Sequence, residues 1–319
     1  MRERVDMGDV VVDVTAIIVS YNTKDLLAEC LHSVWEQTGD LLAEVIVVDN
    51  ASTDGSCEMV KERFPKVHLI SNKENVGFAK ANNMAIQTSS GRYILLLNSD
   101  AVVIDDSVQR MVQFLDENPQ IGACGCKLLF PDGRYQRSAW PLPKILSGIY
   151  GYSNLFDRIA LFPRLLAPDW FDYPERTRAV GYCTAACLLV SRRCIEEVGL
   201  MDENFFLYSE EVDWCKRMWE SKWQVFYLAE AKVVHYNGGS QRGYLRRKTR
   251  MISAELQYMR KWHGRIYSRA YQTVVWICIL YNYLKLLGSQ QHSRHADSLL
   301  LERRAFYRAV LRGRLDLKS

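Results

Sequence analysis

The side chains able to do chemistry in this 319-residue chain fall into two clusters and an outlying histidine. The first cluster is a series of polar residues, each following a short apolar run. Tyr21 and Asn22 come after VTAIIVS, and Asp49, Asn50, Ser52 and Asp54 come at or after the end of EVIVVDN. Asn72 and Asn75 follow VHLIS, while Asn98, Ser99 and Asp100 close ILLLNSD. Loops are polar in any protein, but four consecutive runs ending in Asn or Asp make a pattern. Neither GxGxxG after the first run nor GxxxxGK[ST] anywhere is present, so a bound phosphate would need another neutralising device. A divalent cation on the Asp100 carboxylate, at the rim of the core, would supply it. The second cluster is Glu210, Glu211 and Asp213, directly after FFLY. Acids are favoured in a first helical turn by its unpaired N–H groups, which accounts for one or two of the three. An aromatic wall beside them would raise a carboxyl pKa and ready it as a general base. His235 ends a later apolar run, just before Gly238 and Gly239, where a loop over anionic phosphates would fit.

These residues need elements to position them, and the apolar periodicity provides them. Val14–Ser20 reads as a strand, after which Leu27, Leu31 and Val34 recur at helical spacing. Glu44–Asn50 and Val67–Ser71 read as strands, Ala79–Thr88 as a helix and Arg92–Asp100 as a fourth strand. Apolar-throughout strands alternating with helices predict an α/β fold with a mostly parallel sheet covered on both faces. The polar cluster then lies at the C-terminal strand ends, where open α/β sheets bind ligands. Residues 122–145 are turn-rich, and Ile145–Trp170 mixes aromatics with Leu and Arg. That stretch reads equally as a cover, an acceptor surface or helix packing. CLLVSRR predicts a short strand leading into a helix near Arg193–Val198, and Glu210 opens a helix striped by Val212, Cys215 and Trp219. VFYLAEAKVVHYNGG predicts a strand, a turn and a second short strand ending at His235.

With 48% hydrophobic and 24% charged residues, the composition excludes a disordered tail, a fibrous repeat and a disulfide-stapled miniature. Net charge is +4, yet residues 241–319 carry +13 and the preceding 240 carry −9. The nine cysteines are scattered without zinc-ribbon spacing, and the N-terminus carries acids in place of a signal peptide's apolar run. Both point to the cytoplasm. Residues 241–269 hold nine Lys/Arg against one acid, and an apolar, aromatic-rich stretch follows at Ala270–Gly288. Gln272, Asn282 and Lys285 argue against membrane insertion, so this region reads as an anchor on an anionic membrane surface. Packing against the catalytic domain or a homodimer partner is the alternative. No nucleic-acid motif accompanies the basic patch, so no nucleic-acid partner is expected.

Assembled in order, the motifs IIVSYN (Ile17–Asn22), VVDNASTDGS (Val47–Ser56), NVGFAKANN (Asn75–Asn83), LLLNSD (Leu95–Asp100), MDENFFLYSEEVDWC (Met201–Cys215) and VVHYNGGS (Val233–Ser240) resemble the family 2 glycosyltransferases. The likeness is to the branch holding bacterial rhamnosyltransferases of cell-surface polysaccharide synthesis, and covers residues 12–240. It implies a GT-A fold, with a nucleotide-binding half at about 12–120, an acceptor-side half at about 121–240 and a helical extension at 241–319. It further implies a nucleotide-sugar donor, with dTDP-rhamnose favoured over a UDP-sugar, and a glycan or lipid-linked acceptor. Asp49 resembles the residue that binds the pyrimidine, with Tyr21, Asn22, Asn50 and Asp54 around the nucleoside. Asn75 and Gly77 resemble the loop near the ribose and phosphates. Asp100 matches the last acid of a DxD-like motif whose first position is Asn98, with Ser99 between them. Asp100 would then ligate Mg²⁺ or Mn²⁺, with His235 as a further metal or diphosphate contact. The second acid of an EDxD pattern, usually the catalytic base, falls on Glu211, with Glu210 and Asp213 as alternatives. Metal-assisted single displacement inverting the anomeric carbon is the implied reaction. Two other readings stay open: an inactive scaffold of polysaccharide assembly, raised by Asn98, Ala185 and Glu211, and a nucleotidyltransferase, for which SYNTKD supplies no phosphate loop.

Overall fold

The structure is a computed structural model, which describes residues 12–39, 41, 43–145, 174–236, 244–289 and 307. Strand β1 (Val14–Ser20) pairs in parallel with β2 (Ala43–Asp49) and with β4 (Tyr93–Asn98), setting Ile17 level with Ile46 and Leu96. β3 (His68–Ser71) continues the parallel set at one edge. Alternate residues of β1 and β2 point to opposite faces, and both faces are buried. Below the sheet, Ala16, Ile18 and Val47 meet Leu27, Leu31 and Val34 of α1 (Lys24–Gln37) and Met59 of α2 (Ser56–Arg63). Above it, Ile17, Ile46 and Leu96 meet Ala81, Ala85 and Ile86 of α3 (Phe78–Thr88). That two-sided burial is why these strands read as unbroken apolar runs.

Beyond β4 the sheet becomes mixed. β5 (Ala101–Ile104) and α4 (Ser107–Glu117) lead into β6 (Ile121–Leu129). The short strands β7 (Tyr135–Gln136), β8 (Ala139–Trp140), β9 (Arg178–Ala179) and β10 (Tyr182–Cys183) follow, then β11 (Cys187–Ser191) and β12 (Gln224–His235). The main sheet runs β3-β2-β1-β4-β11-β6-β12-β5, with β11 antiparallel to both its neighbours. One detail differs from the sequence reading: Gln224–His235 is one twelve-residue strand whose register shifts between Leu228 and Lys232. The expected turn is therefore an irregularity inside a strand, which lets Leu228 and Val233 both face the core.

Helices α5 (Arg192–Val198) and α6 (Glu210–Glu220) lie over the upper face, where Trp214, Cys215 and Met218 are fully buried. The last described helix, α7 (Tyr244–Ser289), breaks at Gly264, whose φ of 83° is left-handed. The Tyr271 hydroxyl donates to Glu255 and the Ser268 hydroxyl to the Leu256 carbonyl, so the second half runs back along the first. Both halves pack Ile252, Leu256, Met259, Val275 and Ile279 against Phe205 and Val212. All nine cysteines are free, and eight are buried, where a thiol packs as a small apolar group. The aromatic stretch up to Trp170 and the Gly238–Gly239 loop lie outside the described residues, apart from Ile145.

Candidate active site

A cleft of about 510 Å³ opens at the C-terminal ends of the parallel strands. Tyr21, Asn50, Asn75 and Gly77 line one part, and Asn98, Ser99, Asp100 and His235 another. Glu210 and Glu211 close it from the start of α6. These ten candidates, separated by up to 214 positions in the chain, therefore share one space.

The polar strand ends are also braced among themselves. Asn72 donates its amide to Asn50 Oδ1, and Asn50 in turn donates to the Gly77 carbonyl. Asn75 Oδ1 accepts the Gly77 N–H. Asn22, Asp49 and Asp54 do not line the cleft. Asn22 Oδ1 accepts the Thr53 N–H, and Asp54 accepts the N–H groups of Lys24 and Ser56, tying the loop after β1 to the loop after β2. Asp49 accepts the Ser52 N–H through Oδ1, while its buried Oδ2 has no partner. Such an oxygen costs free energy unless a ligand reaches it.

Gly77 is where the two halves of the site meet. At φ 89° it adopts a conformation that disfavours side chains, and a Cβ there would lie 2.6 Å from the Phe206 carbonyl oxygen. The same carbonyl accepts the Phe78 N–H at 2.7 Å. This close approach holds Phe206, Leu207 and Tyr208 against the cleft. Tyr208 and Ser209 follow with φ of 75° and 67°, a double left-handed step that turns α6 so its first residues face inward.

Strand register explains the Asp100–His235 pair. His235 sits opposite Ala101 on β5, and the Tyr236 N–H donates to the Asp100 carbonyl. His235 Nδ1 lies 2.7 Å from Gln136 Oε1, so Nδ1 carries a proton donated to that amide oxygen. Its Nε2 lies 3.3 Å from Asp100 Oδ1 and 3.2 Å from the Asn98 amide nitrogen. The two side chains thus bring a carboxylate oxygen and an imidazole nitrogen together at the cleft, two donors of the kind a divalent cation takes. A carboxylate and an imidazole suit Mn²⁺ or Mg²⁺ with further oxygens from a ligand. Among the described residues no cluster of three His, Cys, Asp or Glu could hold a metal by itself.

The carboxyl pair faces a different environment. Glu210 and Glu211 each keep a buried Oε2 without a partner. Burial pushes the Glu211 carboxyl up to about 7, and burial together with the neighbouring Glu211 charge pushes Glu210 well above its ordinary 4.5. The folded state holds the Glu210 proton at pH values where the unfolded chain has lost it. That contribution is intact below about 4.5 and fades as pH rises towards the folded value. Glu210→Gln should therefore raise the melting temperature by a few degrees near pH 8 and give no gain near pH 4, as thermal denaturation at the two pH values would read.

Asp213 is placed apart from the pair. Fully buried, it accepts from Arg217 at 3.1 Å, Trp262 at 2.8 Å and Lys261 at 2.7 Å, and does not line the cleft. Four residues not picked out from sequence belong to the site. Gln136 orients the histidine, Thr184 lines the wall, and Arg247 and Arg250 bring cations from the first turns of α7. Only the density of Lys/Arg after residue 240 signals the arginines.

Residues 15–161 match the family model "Glycosyl transferase family 2". An "N-acetylglucosaminyl-diphospho-decaprenol L-rhamnosyltransferase" of Mycobacterium tuberculosis is 28% identical over 218 residues, 61% of this chain and 67% of the relative. "O-antigen biosynthesis protein RfbC" of Myxococcus xanthus is 29% identical over 231 residues, covering 71% of this chain and 18% of that protein. Among solved structures, "Mannosyltransferase PcManGT from Pyrobaculum calidifontis in complex with GDP-Man and Mn2+" aligns with a TM-score of 0.58 and 19% identity, over 98% of this chain and 91% of that one. "Crystal structure of GalNAc-T7 with UDP, GalNAc and Mn2+" aligns at 0.53 and 16% identity, over 70% and 43%. The two structures share the fold with this chain.

Proposed function

We propose that this glycosyltransferase, family 2 in the matched segment and GT-A in fold, transfers L-rhamnose from a nucleoside-diphosphate donor to a hydroxyl of a lipid-linked glycan, with inversion. The carrying observation is one cleft with a cation-ready pair, Asp100 and His235, and a buried carboxyl pair, Glu210 and Glu211. The donor sugar and lipid-linked acceptor are favoured by the name of the mycobacterial relative.

In this reading residues 12–240 form the catalytic domain. The base and ribose lie over Tyr21, Asn50 and the orphaned Asp49 oxygen, in the braced corner after β1 and β2. The diphosphate lies towards Asp100, where bound Mg²⁺ or Mn²⁺ would carry the charge growing on the leaving group. Asn98 in the first position of the motif leaves one carboxylate there, and His235 Nε2 makes up the second protein donor. Arg247 and Arg250 add fixed positive charge at the mouth, suited to a phosphate-bearing substrate. The acceptor hydroxyl enters from the Phe206–Tyr208 side and gives its proton to Glu211 as it bonds to the anomeric carbon. The leaving group departs on the opposite side, so configuration inverts.

The test is calorimetric titration with dTDP-rhamnose, UDP-glucose and GDP-mannose, each with and without Mn²⁺. One donor should bind in a metal-dependent way, and Asp100→Ala should remove that dependence. Gln136→Leu should weaken Mn²⁺ binding by roughly 10–100-fold through loss of the histidine's orientation, read as the Mn²⁺ concentration needed to restore donor affinity. Equal donor affinity with and without metal would overturn the cation assignment.

A further inference from the structure

The second half of α7 presents an apolar stripe to solvent. Ile266, Ile277 and Leu284 are 87%, 62% and 58% exposed, and Trp276, Leu280 and Tyr281 are also open. Positions 266, 273, 277, 280 and 284 recur at three-, four- and seven-residue steps, so they share one helix face. Residues 266–284 span about 27 Å of helix. The opposite face is buried, with Tyr271, Val275 and Ile279 packed on Phe205 and Val212. The stripe is therefore left over after the helix has satisfied its own domain.

Exposed Arg265 and Arg269 stand at one end of the stripe and Lys285 at the other. From residue 256 to 296 the chain contains no acid at all. That composition decides between occupants. A second copy packed antiparallel about Ile277 would set Arg269 of one chain against Lys285 of the other, and a parallel copy would set Arg269 against Arg269. Both oppose like charges with no carboxylate to relieve them. Nucleic acid would leave the Ile277–Leu280–Leu284 ridge in water. An anionic lipid surface answers both features, taking the apolar ridge into the acyl boundary and the cations into its headgroups. No helix among the described residues is long and apolar enough to cross a membrane, which leaves lying on the surface.

We infer that the C-terminal half of α7 is a docking surface for an anionic bilayer, bound in the membrane plane through Ile277, Leu280 and Leu284 between flanking cations. The hairpin register set by Tyr271–Glu255 and Ser268–Leu256 brings the centre of the stripe level with the first turns of α7. There Arg247 and Arg250 line the cleft, so docking would set the active site at the lipid headgroups.

Sedimentation of the full chain with vesicles of phosphatidylcholine and phosphatidylglycerol, and with phosphatidylcholine alone, tests this. Binding should need the anionic lipid and weaken with salt. Leu280→Asp with Leu284→Asp should lower vesicle affinity roughly tenfold or more, at unchanged melting temperature and donor affinity. Arg265→Gln with Arg269→Gln keeps the ridge and should remove the preference for anionic lipid. Light scattering in the same buffers reads the competing occupant. A dimer dissociated by the ridge variant, or vesicle binding unaffected by both variants, would overturn the inference. Donor affinity measured alongside separates that outcome from failure of the proposed activity.

Discussion

Glu211→Gln should lower turnover by about 10²–10⁴-fold, the range that removal of a positioned general base produces, while donor affinity changes little. The change keeps size and shape but takes away the lone pair that accepts the proton. The surroundings explain why this carboxyl suits the task. Its Oε2 is buried without a partner, and burial pushes its pKa up to about 7. A base titrating there is ionised in an appreciable fraction near neutral pH and still holds its proton firmly once transferred. The acid limb of kcat/KM should accordingly fall off near pH 7 rather than at the ordinary 4.5. Glu210→Gln separates the pair. Burial, not a charge on Glu210, raises Glu211, so the acid limb should stay near pH 7 and turnover should persist. Two carboxyls this close lose their protons in steps belonging to the pair, which makes the two single variants the way to tell them apart. If Glu210→Gln abolishes turnover and Glu211→Gln only shifts the profile, the base is Glu210.

The same two residues show how far sequence carries and where it stops. Glu210 and Glu211 stand out because three acids open a helix directly after aromatics, and that pattern places them near the site. It cannot separate a base from an anchor, because adjacent helical positions differ by about 100° in direction and only packing decides which way each points. Glu210 and Glu211 face the cleft, whereas Asp213 faces Arg217 and the second half of the extension's first arm. The strands were legible because residues such as Ile17, Ile46 and Leu96 are buried on both faces, which leaves an unbroken apolar run. The strand break expected before His235 was not, because a register shift inside β12 uses the same small and charged residues, Ala229–Lys232, that a turn would use. Asp100 and His235 could each be singled out in the sequence. Their contact rests on a pairing between β5 and β12, which local pattern does not encode. Gln136 carried no signal, since its role exists only relative to a histidine 99 positions away.

Asp213→Ala should destabilise the protein by about 3–5 kcal/mol, the usual cost of removing one partner from a buried ionic cluster. The carboxylate is fully buried and gathers three donors from two helices. Oδ2 faces Arg217 one turn along α6, while Oδ1 takes the Trp262 indole N–H and the Lys261 ammonium from α7. Arg217 also donates to the Val198 and Leu200 carbonyls, and Lys261 also pairs with Asp202. One side chain thus joins the end of α5, the loop before α6, α6 itself and the turn of α7. Alanine would leave two cations and a buried indole N–H facing a void, whereas Asn keeps one acceptor and the volume and should cost less. Denaturant melts of the two variants and the parent would give that order, with α7 freed first and proteolysed near Gly264. Turnover at low temperature, normalised to the folded fraction, should stay within a few-fold of the parent for Asp213→Asn. A loss as deep as that of Glu211→Gln, with stability intact, would instead make Asp213 the proton acceptor. The geometry argues against this: both of its oxygens are already committed to cations on the side of α6 away from the cleft.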